Sequence, residues 1–361
     1  MKILIRATNW LGDAVMSLPA IRAVRANYPG SQISLLVKRS VADLYARESC
    51  VDKIIIYDGD RWKIARALRA RKFNLGILFP NSFDSALVLR LAGLPQIVGY
   101  DVDIRRLLLT RPIRVPRGKS SVHERFYYLD LLQEARLIDG YHGADAPILL
   151  DCAAEAAAEG RRIFAEQGVT LPVVGVSPGA AYGSAKRWLP ERFAESAASL
   201  ASTVAGQAVS PASPPTATQP GGTVALFGAP NDAAQCLAVE KALRSRSVPV
   251  VNLAGRTSLR QFIDLAAACS VFLTNDSGSM HVASALGVPT VAIFGATNPK
   301  TTGPAGPSHT VVLEKVECSP CLKRECPIDH RCMTRVTSER VVKAASALIQ
   351  LKRAQLRNEQ L

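Results

Sequence analysis

The feature that most constrains the fold is an alternation of short β-branched runs with helical segments, and it occurs twice along the chain. In the first half, runs such as "SQISLLVK" (31–38) and "FNLGILFP" (73–80) are separated by segments with helical spacing of apolar residues. Such alternation predicts a parallel sheet covered by helices. A second series begins with "VVGVSPGA" (173–180) and ends with "VPTVAIFG" (288–295). The other predicted strands are Lys2–Ala7, 52–58, 96–101, 223–230, 248–255 and 271–276.

This repetition fits two consecutive α/β domains better than one large sheet. The 361 residues suffice for two hydrophobic cores. We predict two Rossmann-like, doubly wound domains over 1–168 and 169–336 that face each other across a central cleft, followed by an amphipathic helix over 337–361. The uncharged Pro/Ser/Thr/Ala segment 206–222 is predicted to be a disordered and dispensable insertion.

The formal net charge of +14 predicts an anionic partner, which could be nucleic acid, acidic lipid or a phosphorylated metabolite. No helix-turn-helix, zinc-finger or aromatic RNA-binding signature is present, which disfavours nucleic acid. Arg6 interrupts the N-terminal apolar run, and no apolar stretch approaches the roughly 20 residues that span a bilayer. We therefore expect a cytoplasmic protein whose membrane contact, if any, is peripheral.

Two loops of the second series carry groups that suit a phosphate. In "SPGAAYGSAKRW" (177–188), two glycines permit tight turns, Ser184 offers a hydroxyl and Lys186 a cation. In "NDSGSMHVASALG" (275–287), a helix begins near Gly278, and its free N–H groups would face an anion. We predict a diphosphate site with an attached sugar bonded by Asp276. The alternatives are a solvated basic turn and, for Asp276, a plain helix cap. The residues placed at the second loop are Asp276, Ser277, Gly278 and His281.

A carboxylate stands at the start of the first predicted helix, over Asp13–Tyr28, where many nucleotide-binding proteins place a glycine-rich phosphate loop. Only Gly12 precedes Asp13, and a carboxylate at this point would repel a phosphate. From the residues alone, Asp13 is either a general base or an ordinary first-turn carboxylate favoured by the helix dipole.

Four cysteines are clustered over 318–332 with the spacing C-x2-C-x4-C-x5-C. The first pair is typical of zinc ligands, but the spacings together match no standard zinc or iron–sulfur pattern. A structural metal and free thiols both remain open. The cysteines are Cys318, Cys321, Cys326 and Cys332.

Several of these stretches resemble a known family. "PGAAYGSAKRW", "LFGAPND" and "TNDSGSMHVASALGVPTVAIFG" are similar to the donor half of the ADP-heptose:lipopolysaccharide heptosyltransferases of glycosyltransferase family 9. "ATNWLGDAVMSLPAIRAVR" and "LFPNSFDSALVLRLAG" are similar to the acceptor half. The resemblance implies a GT-B architecture, a cytoplasmic enzyme, ADP-heptose as donor, inversion at the anomeric carbon and no required cofactor. It also implies a heptosyl-Kdo-lipid A acceptor at the inner membrane, and the alternatives are heptose-free Kdo-lipid A or the different acceptor of another family 9 transferase.

The resemblance also implies roles for individual residues. Asp13 matches the catalytic aspartate, and Asp232 stands where the family often bonds the ribose. The rival hypotheses are a basic nucleic-acid-binding protein, a GT-B epimerase acting on a UDP-sugar, and a silent sugar-nucleotide binder. The donor-binding residues implied are Ser184, Lys186, Asp276, Ser277, Gly278, His281 and Asp232, and the acceptor candidates are Asn81 and Arg125.

Overall fold

The computed structural model describes residues 1–118, 121–141, 147–206 and 221–358. The chain forms two compact units, Met1–Asp151 and Cys152–Leu361. Each unit holds a six-stranded sheet whose strands are all parallel, with helices packed against it. The predicted α/β class with two doubly wound domains is thereby confirmed. The insertion predicted over 206–222 falls, apart from its end residues, outside the described residues.

The sheet of the first unit has the strand order β3-β2-β1-β4-β5-β6. Its central strand is buried on both faces, because helices cover both sides of a doubly wound sheet. The elements are β1 Lys2–Arg6, α1 Leu11–Met16, α2 Leu18–Asn27, β2 Gln32–Val37, α3 Arg39–Tyr45, β3 Lys53–Ile56, α4 Arg61–Arg71, β4 Leu75–Leu78, α5 Phe83–Leu91, β5 Gln96–Tyr100, β6 Arg111–Ile113 and α6 Glu124–Glu134.

The single helix predicted over Asp13–Tyr28 is two helices, α1 and α2, which meet at Ser17. Pro19 lies in the first turn of α2, where its missing N–H is tolerated, whereas inside one continuous helix it would remove a hydrogen bond. The Ser17 hydroxyl donates to the carbonyl of Ala14 at 2.9 Å. The break keeps α1 short and places Asp13 in its first turn.

The sheet of the second unit has the order β12-β11-β10-β7-β8-β9, which is the same topology read from the other edge. The elements are α7 Ala153–Glu166, β7 Val173–Ser177, α8 Pro190–Gly206, β8 Thr223–Leu226, α9 Ala233–Arg244, β9 Val250–Asn252, α10 Leu259–Ala267, β10 Val271–Asn275, α11 Gly278–Ala285, β11 Thr290–Phe294, α12 Pro299–Thr302, β12 His309–Leu313, α13 Arg331–Thr334 and α14 Ser338–Asn358.

Two strands were not predicted, β6 and β12, and each is the last strand at one edge of its sheet. The sequence "RPI" of β6 contains Pro112, which an edge strand accepts because one side of it needs no ladder hydrogen bond. The three residues of β6 carry too little pattern to indicate a strand, whereas β12 contains the β-branched run Thr310–Val312, a strand signal that was overlooked.

The boundary between the units lies before α7, not at the predicted position 168/169, because α7 packs on α10 of the second unit. Gly160 of α7 approaches the backbone of α10 so closely that a Cβ there would lie 2.0 Å from the carbonyl oxygen of Asp264. Helix α14 also belongs to the second unit, since Val341, Ala345 and Leu348 are buried in its main core. Within the described residues, none of the helices has both the length and the apolar content required to cross a bilayer.

The α7–α10 contact leads to a stability prediction. Helix propensity alone would make Gly160→Ala stabilising by about 1 kcal/mol. The close approach to the Asp264 backbone reverses the sign, and we expect a net loss of about 1–3 kcal/mol. Calorimetric melting would show a lower transition temperature. The matched control is Ala158→Gly at an exposed site of the same helix, which should show only the propensity cost. A raised transition temperature for Gly160→Ala would contradict the packing described.

Candidate active site

The candidate donor residues of the second unit follow the two central strands of its sheet. Strands β7 and β10 are parallel neighbours at the centre of the sheet. The strands that follow them in sequence lie on opposite sides, β8 and β9 beyond β7 and β11 and β12 beyond β10, so the strand order reverses between β7 and β10. At such a point the loops beyond the carboxyl ends diverge and leave a crevice for a ligand. The loop 178–187 follows β7 and Asp276 follows β10. Both loops predicted from sequence therefore reach the same edge at adjacent places.

Lys186 and Asp276 are in direct contact at this edge. The Lys186 Nζ lies 2.5 Å from Oδ2 of Asp276, and both side chains are largely buried, with 12% and 6% of their surface exposed. The hydroxyl of Thr297, which follows β11, donates to the same carboxylate oxygen. The ammonium group also lies 4.7 Å from the ring centre of Tyr182, which adds a cation–π attraction. The pair therefore holds a lysine cation in a fixed position at the mouth of the crevice.

Asn275, the last residue of β10, fixes the β7 loop to that strand. It is fully buried. Its side-chain oxygen accepts from the backbone N–H of Trp188 at 3.0 Å, and its amide group donates to the carbonyl of Pro178 at 2.8 Å. These two bonds hold both ends of the loop that carries Lys186. Sequence analysis did not assign Asn275 a role.

Helix α11 begins at the same edge. Ser277 is its N-cap residue but makes no capping bond to the helix backbone, and its hydroxyl lies 3.2 Å from that of Thr274. Gly278 is the first helical residue, so the first-turn N–H groups point towards the end of β10. His281 lies one turn further along and is buried. A helix start of this kind presents N–H donors and the positive end of the helix dipole to an anion.

Asp232 and Ser184 complete the predicted donor set. A Cβ on Gly179 would lie 2.2 Å from Cγ of Asp232, so this carboxylate packs directly against the loop after β7. The Asp232 carboxylate accepts a hydrogen bond from the backbone N–H of Ala229, three residues earlier, at 3.1 Å. Ser184 is exposed in the single 3₁₀ turn of the loop. Asp232 therefore joins the site through Gly179, whose missing side chain makes the approach feasible.

The cysteine-containing segment 318–332 packs on the back of this loop. The N–H of Ala185 donates to the carbonyl of Arg324 at 2.9 Å, and Nε2 of His330 lies 3.0 Å from the carbonyl of Ala185. The Tyr182 hydroxyl donates to the carbonyl of Leu322 at 2.7 Å. The segment thereby supports the loop that carries Ser184 and Lys186.

The four thiols of this segment are unpaired, and they line one cavity of about 250 Å³. In the ranges that the structure describes, no group of three or more His, Cys, Asp or Glu side chains is placed to hold a metal ion. Burial, together with the charges of the three other cysteines, raises the pKa of the Cys332 thiol to about 11.

In the first unit, Asp13 and Asn81 occupy the corresponding positions, since they follow the central neighbours β1 and β4. Asp13 is half-buried in the first turn of α1. Burial raises the pKa of Tyr45 and of Tyr128, and the nearby Asp13 carboxylate raises both further. Buried Arg6 supports the loop before α1, since it donates to the Asn9 side chain at 2.7 Å.

Asn81 lies between two partners, donating to the Tyr127 hydroxyl at 2.7 Å and accepting from Arg105 at 3.3 Å. Arg125 is on α6 and is buried, with Nε 3.4 Å from Nδ1 of His123. The structure thus brings the acceptor candidate Asn81 to the strand-end edge, and Arg125 lies in the first turn of α6, the helix whose Tyr127 is bonded to Asn81.

Two residues that hold the donor loops were not predicted from the sequence: Asn275 and Thr297. Asn275 is the last residue of β10 and directly precedes Asp276. Its buried side chain links that strand to the loop after β7. Thr297 acts on a residue more than twenty positions earlier, and no local pattern reports such a contact. In the first unit Arg105, which lies between β5 and β6, is fully buried and bonds to Asn81.

Comparison with known proteins agrees with this architecture. The sequence model of glycosyltransferase family 9 (heptosyltransferase) matches residues 61–210 and 215–331. Lipopolysaccharide heptosyltransferase 2 of Escherichia coli K12 is 29% identical over 363 residues, covering 97% of this chain and 99% of the relative. Lipooligosaccharide heptosyltransferase 2 of Haemophilus influenzae is 30% identical over 327 residues, covering 86% and 88%. Lipopolysaccharide heptosyltransferase 1 of Pseudomonas aeruginosa is 24% identical over 387 residues, covering 97% and 98%.

Among solved structures, Escherichia coli ADP-heptose lipopolysaccharide heptosyltransferase II superimposes with a TM-score of 0.81 and 28% identity, covering 98% of this chain and all of that one. The two Rossmann-like units of the present chain correspond to the GT-B architecture that the sequence resemblance implies. The family model matches most of this chain, and the Haemophilus influenzae relative is 30% identical over 86% of it. The chain therefore belongs to glycosyltransferase family 9, the heptosyltransferases.

Proposed function

We propose that this chain transfers L-glycero-D-manno-heptose from ADP-heptose to the first heptose of the lipopolysaccharide inner core, with inversion and without a metal ion. The observation that carries the chemistry is the buried Lys186–Asp276 pair beside the start of α11. The choice of acceptor is supported by the relatives named heptosyltransferase 2, which are more similar to this chain than the heptosyltransferase 1 relative.

The donor diphosphate would be bound by Lys186 and the first N–H groups of α11. The negative charge of the ADP leaving group grows as its bond to the sugar breaks, and fixed positive groups aimed at that charge lower the barrier. A lone Asp276 would repel a diphosphate, but here its charge is balanced by the lysine it contacts. Asp276 therefore positions Lys186, and its carboxylate can accept a further hydrogen bond from a sugar hydroxyl. Ser184, Ser277, Gly278 and His281 complete this part of the site, and Asp232 would bond the ribose.

Asp13 would act as the general base. An inverting transfer needs a group that takes the proton from the acceptor hydroxyl while that hydroxyl attacks the anomeric carbon. Asp13 is a partly exposed carboxylate at the central crevice of the first unit, and Asn81 lies at the neighbouring strand end. Such a carboxylate also stabilises an oxocarbenium-like transition state. Asn81 and Arg125 are the acceptor-binding candidates, with Arg125 acting from the first turn of α6.

The acceptor sets the cellular location in this proposal. A heptosyl-Kdo-lipid A molecule is anchored in the inner membrane, and its Kdo carboxylates and lipid phosphates are anionic. A basic protein acting on it would work in the cytoplasm, with peripheral contact at the cytoplasmic face of that membrane. The second candidate is transfer to heptose-free Kdo-lipid A, which an assay with both acceptors separates directly.

The first test is the Asp13→Asn variant in the presence of EDTA, with product detected by mass spectrometry. We expect kcat to fall by about 10²–10⁴-fold, because the amide cannot accept the proton. The affinity for ADP-heptose, measured by calorimetry, should stay within about twofold, since the donor residues are in the other unit.

The matched control is Asp139→Asn, the same change at an exposed site of the first unit, which should leave kcat unaltered. Undiminished turnover by Asp13→Asn would exclude Asp13 as the base. Transfer by the wild type only to the heptose-free acceptor would replace the proposed acceptor with the second candidate.

A second test separates the binding role of Lys186 from its structural role. Lys186→Met leaves the buried Asp276 carboxylate unpaired, which typically costs about 3–5 kcal/mol of stability. Lys186→Met/Asp276→Asn removes that unpaired charge, so its melting temperature should recover most of the loss. Loss of a charged hydrogen bond of about 1.5–3 kcal/mol should weaken ADP binding by about 10–100-fold in both variants. Wild-type ADP affinity in the stable double variant would contradict a phosphate-binding role for Lys186.

A further inference from the structure

Several large apolar side chains of the first unit are exposed at the carboxyl edge of its sheet, and four of them belong to the segments after β3, β4 and β5. Ile104 and Leu107, in the loop after β5, have 94% and 91% of their surface exposed. Trp62 at the start of α4 has 70% exposed, and Phe83 at the start of α5 has 43%. We refer to Trp62, Phe83, Ile104 and Leu107 as the apolar rim. Contiguous exposed apolar residues of this kind mark an interaction surface.

Bonds between their neighbours place the rim residues side by side. The N–H of Phe83 donates to Oδ2 of Asp103, the residue before Ile104, at 2.6 Å. Arg61, the residue before Trp62, forms an ion pair at 3.2 Å with Asp84, the residue after Phe83. The starts of α4 and α5 and the loop after β5 therefore form one continuous surface.

The rim is held outward by a buried arginine. Arg105, between Ile104 and Leu107, is fully buried and donates to the carbonyls of Tyr100 and Pro80 at 2.9 and 2.5 Å. It makes further bonds to the Ser85 hydroxyl and the Asn81 side chain. With this arginine anchored inside, the residues on either side of it point to solvent.

The loop backbone is also strained in a way that keeps Ile104 exposed. Asp103 and Ile104 have φ values of 54° and 57°. This left-handed conformation is unfavourable for a β-branched residue such as isoleucine. Such a conformation persists only where surrounding bonds hold it, and those of the adjacent Arg105 hold this loop with Ile104 exposed.

The rim lies in the most basic part of the chain. From Arg61 to Arg117 there are twelve lysines and arginines and three aspartates, a net charge of +9 in a chain whose total is +14. Arg61, Lys63 and Arg106 beside the rim have 49%, 73% and 65% of their side chains exposed, although each forms an ion pair with an aspartate, Asp84, Asp58 and Asp101 respectively. The excess positive charge therefore comes from the other lysines and arginines of the range. Anionic lipid headgroups attract such clusters, and exposed aromatic and aliphatic side chains bury into the boundary between headgroups and acyl chains.

We infer that the apolar rim and its flanking cations dock on the surface of an anionic lipid bilayer. The inference rests on the proposed function in one respect, that the bilayer would carry the acceptor. Asn81, an acceptor candidate, is bonded to the same Arg105 that anchors the rim, so a membrane-bound acceptor would arrive beside it. A nucleic acid would explain the cations but not the exposed isoleucine and leucine, which favour a lipid surface.

The test is sedimentation of the full chain with vesicles of phosphatidylglycerol and phosphatidylcholine, compared with phosphatidylcholine alone. We expect the wild type to bind the anionic vesicles and to be released at high salt. Ile104→Ser/Leu107→Ser should lower the partition coefficient by about tenfold or more, because two apolar side chains no longer insert. The control Leu237→Ser/Leu351→Ser removes two exposed leucines of the second unit and should bind like the wild type.

Transfer assays with two acceptors give the second readout. Ile104→Ser/Leu107→Ser should lose transfer to the acceptor embedded in vesicles but keep, within about twofold, transfer to a soluble acceptor stripped of its acyl chains. Equal loss on both acceptors would assign the rim to sugar binding and overturn the inference. A wild type that does not bind anionic vesicles would also overturn the inference. A variant whose only defect is in oligonucleotide retention would overturn it as well. A wild type that binds vesicles through the rim yet transfers heptose to neither acceptor would refute the proposed function and leave the docking surface standing.

Discussion

The site depends on one constraint of parallel sheets, that the carboxyl ends of all strands meet at a single edge. Both units have the strand order in which the chain runs outward from a central pair in both directions. The two loops after that pair diverge and leave a crevice between them. Asp13 and Asn81 follow β1 and β4, and Lys186 and Asp276 follow β7 and β10. Residues far apart in sequence are thus neighbours because of topology, before any particular side-chain contact is made.

That edge must then be held rigid, and the chain does so with buried polar side chains. Arg6 and Arg105 in the first unit, and Asn275 in the second, each bond to backbone or side-chain groups of the adjoining loops. Burial lowers the pKa of Arg105 to about 10, so it stays charged at neutral pH and depends on its carbonyl partners. An unsatisfied buried group costs about 1–3 kcal/mol, so these residues fix loop positions strongly. Loops held in this way present catalytic and binding groups with little reorganisation.

Much of the fold could be predicted because its signals are local. β-Branched runs and helical spacing report buried strands and amphipathic helices directly, and ten of the twelve strands were found in this way. The edge strand β6 was missed because three residues with a proline carry no strand pattern, whereas the β-branched run of β12 was a local signal that was overlooked. The boundary before α7 was misplaced because a Gly160 contact with the Asp264 backbone, more than a hundred residues away, decides which unit that helix joins.

The candidate site follows the same division. Lys186 and Asp276 were predicted from the chemistry of their loops, but their ion pair and its bond from Thr297 depend on three strand ends being adjacent. The segment 318–332 supports the Lys186 loop through Arg324 and His330. The cysteine spacing of that segment indicates metal binding or free thiols and contains no signal for these contacts. Local sequence indicates which groups are chemically able to act, and topology decides which of them meet.

The two units use equivalent positions for opposite charges. After its first strand, the first unit places the carboxylate of Asp13, and after the corresponding strand the second unit places the ammonium of Lys186. A carboxylate repels a diphosphate and accepts a proton, whereas an ammonium group does the reverse. In the proposed reaction these are the two requirements, one on the acceptor hydroxyl and one on the leaving ADP. A duplicated topology with one reversed charge thus accounts for an aspartate where nucleotide-binding folds usually hold a phosphate.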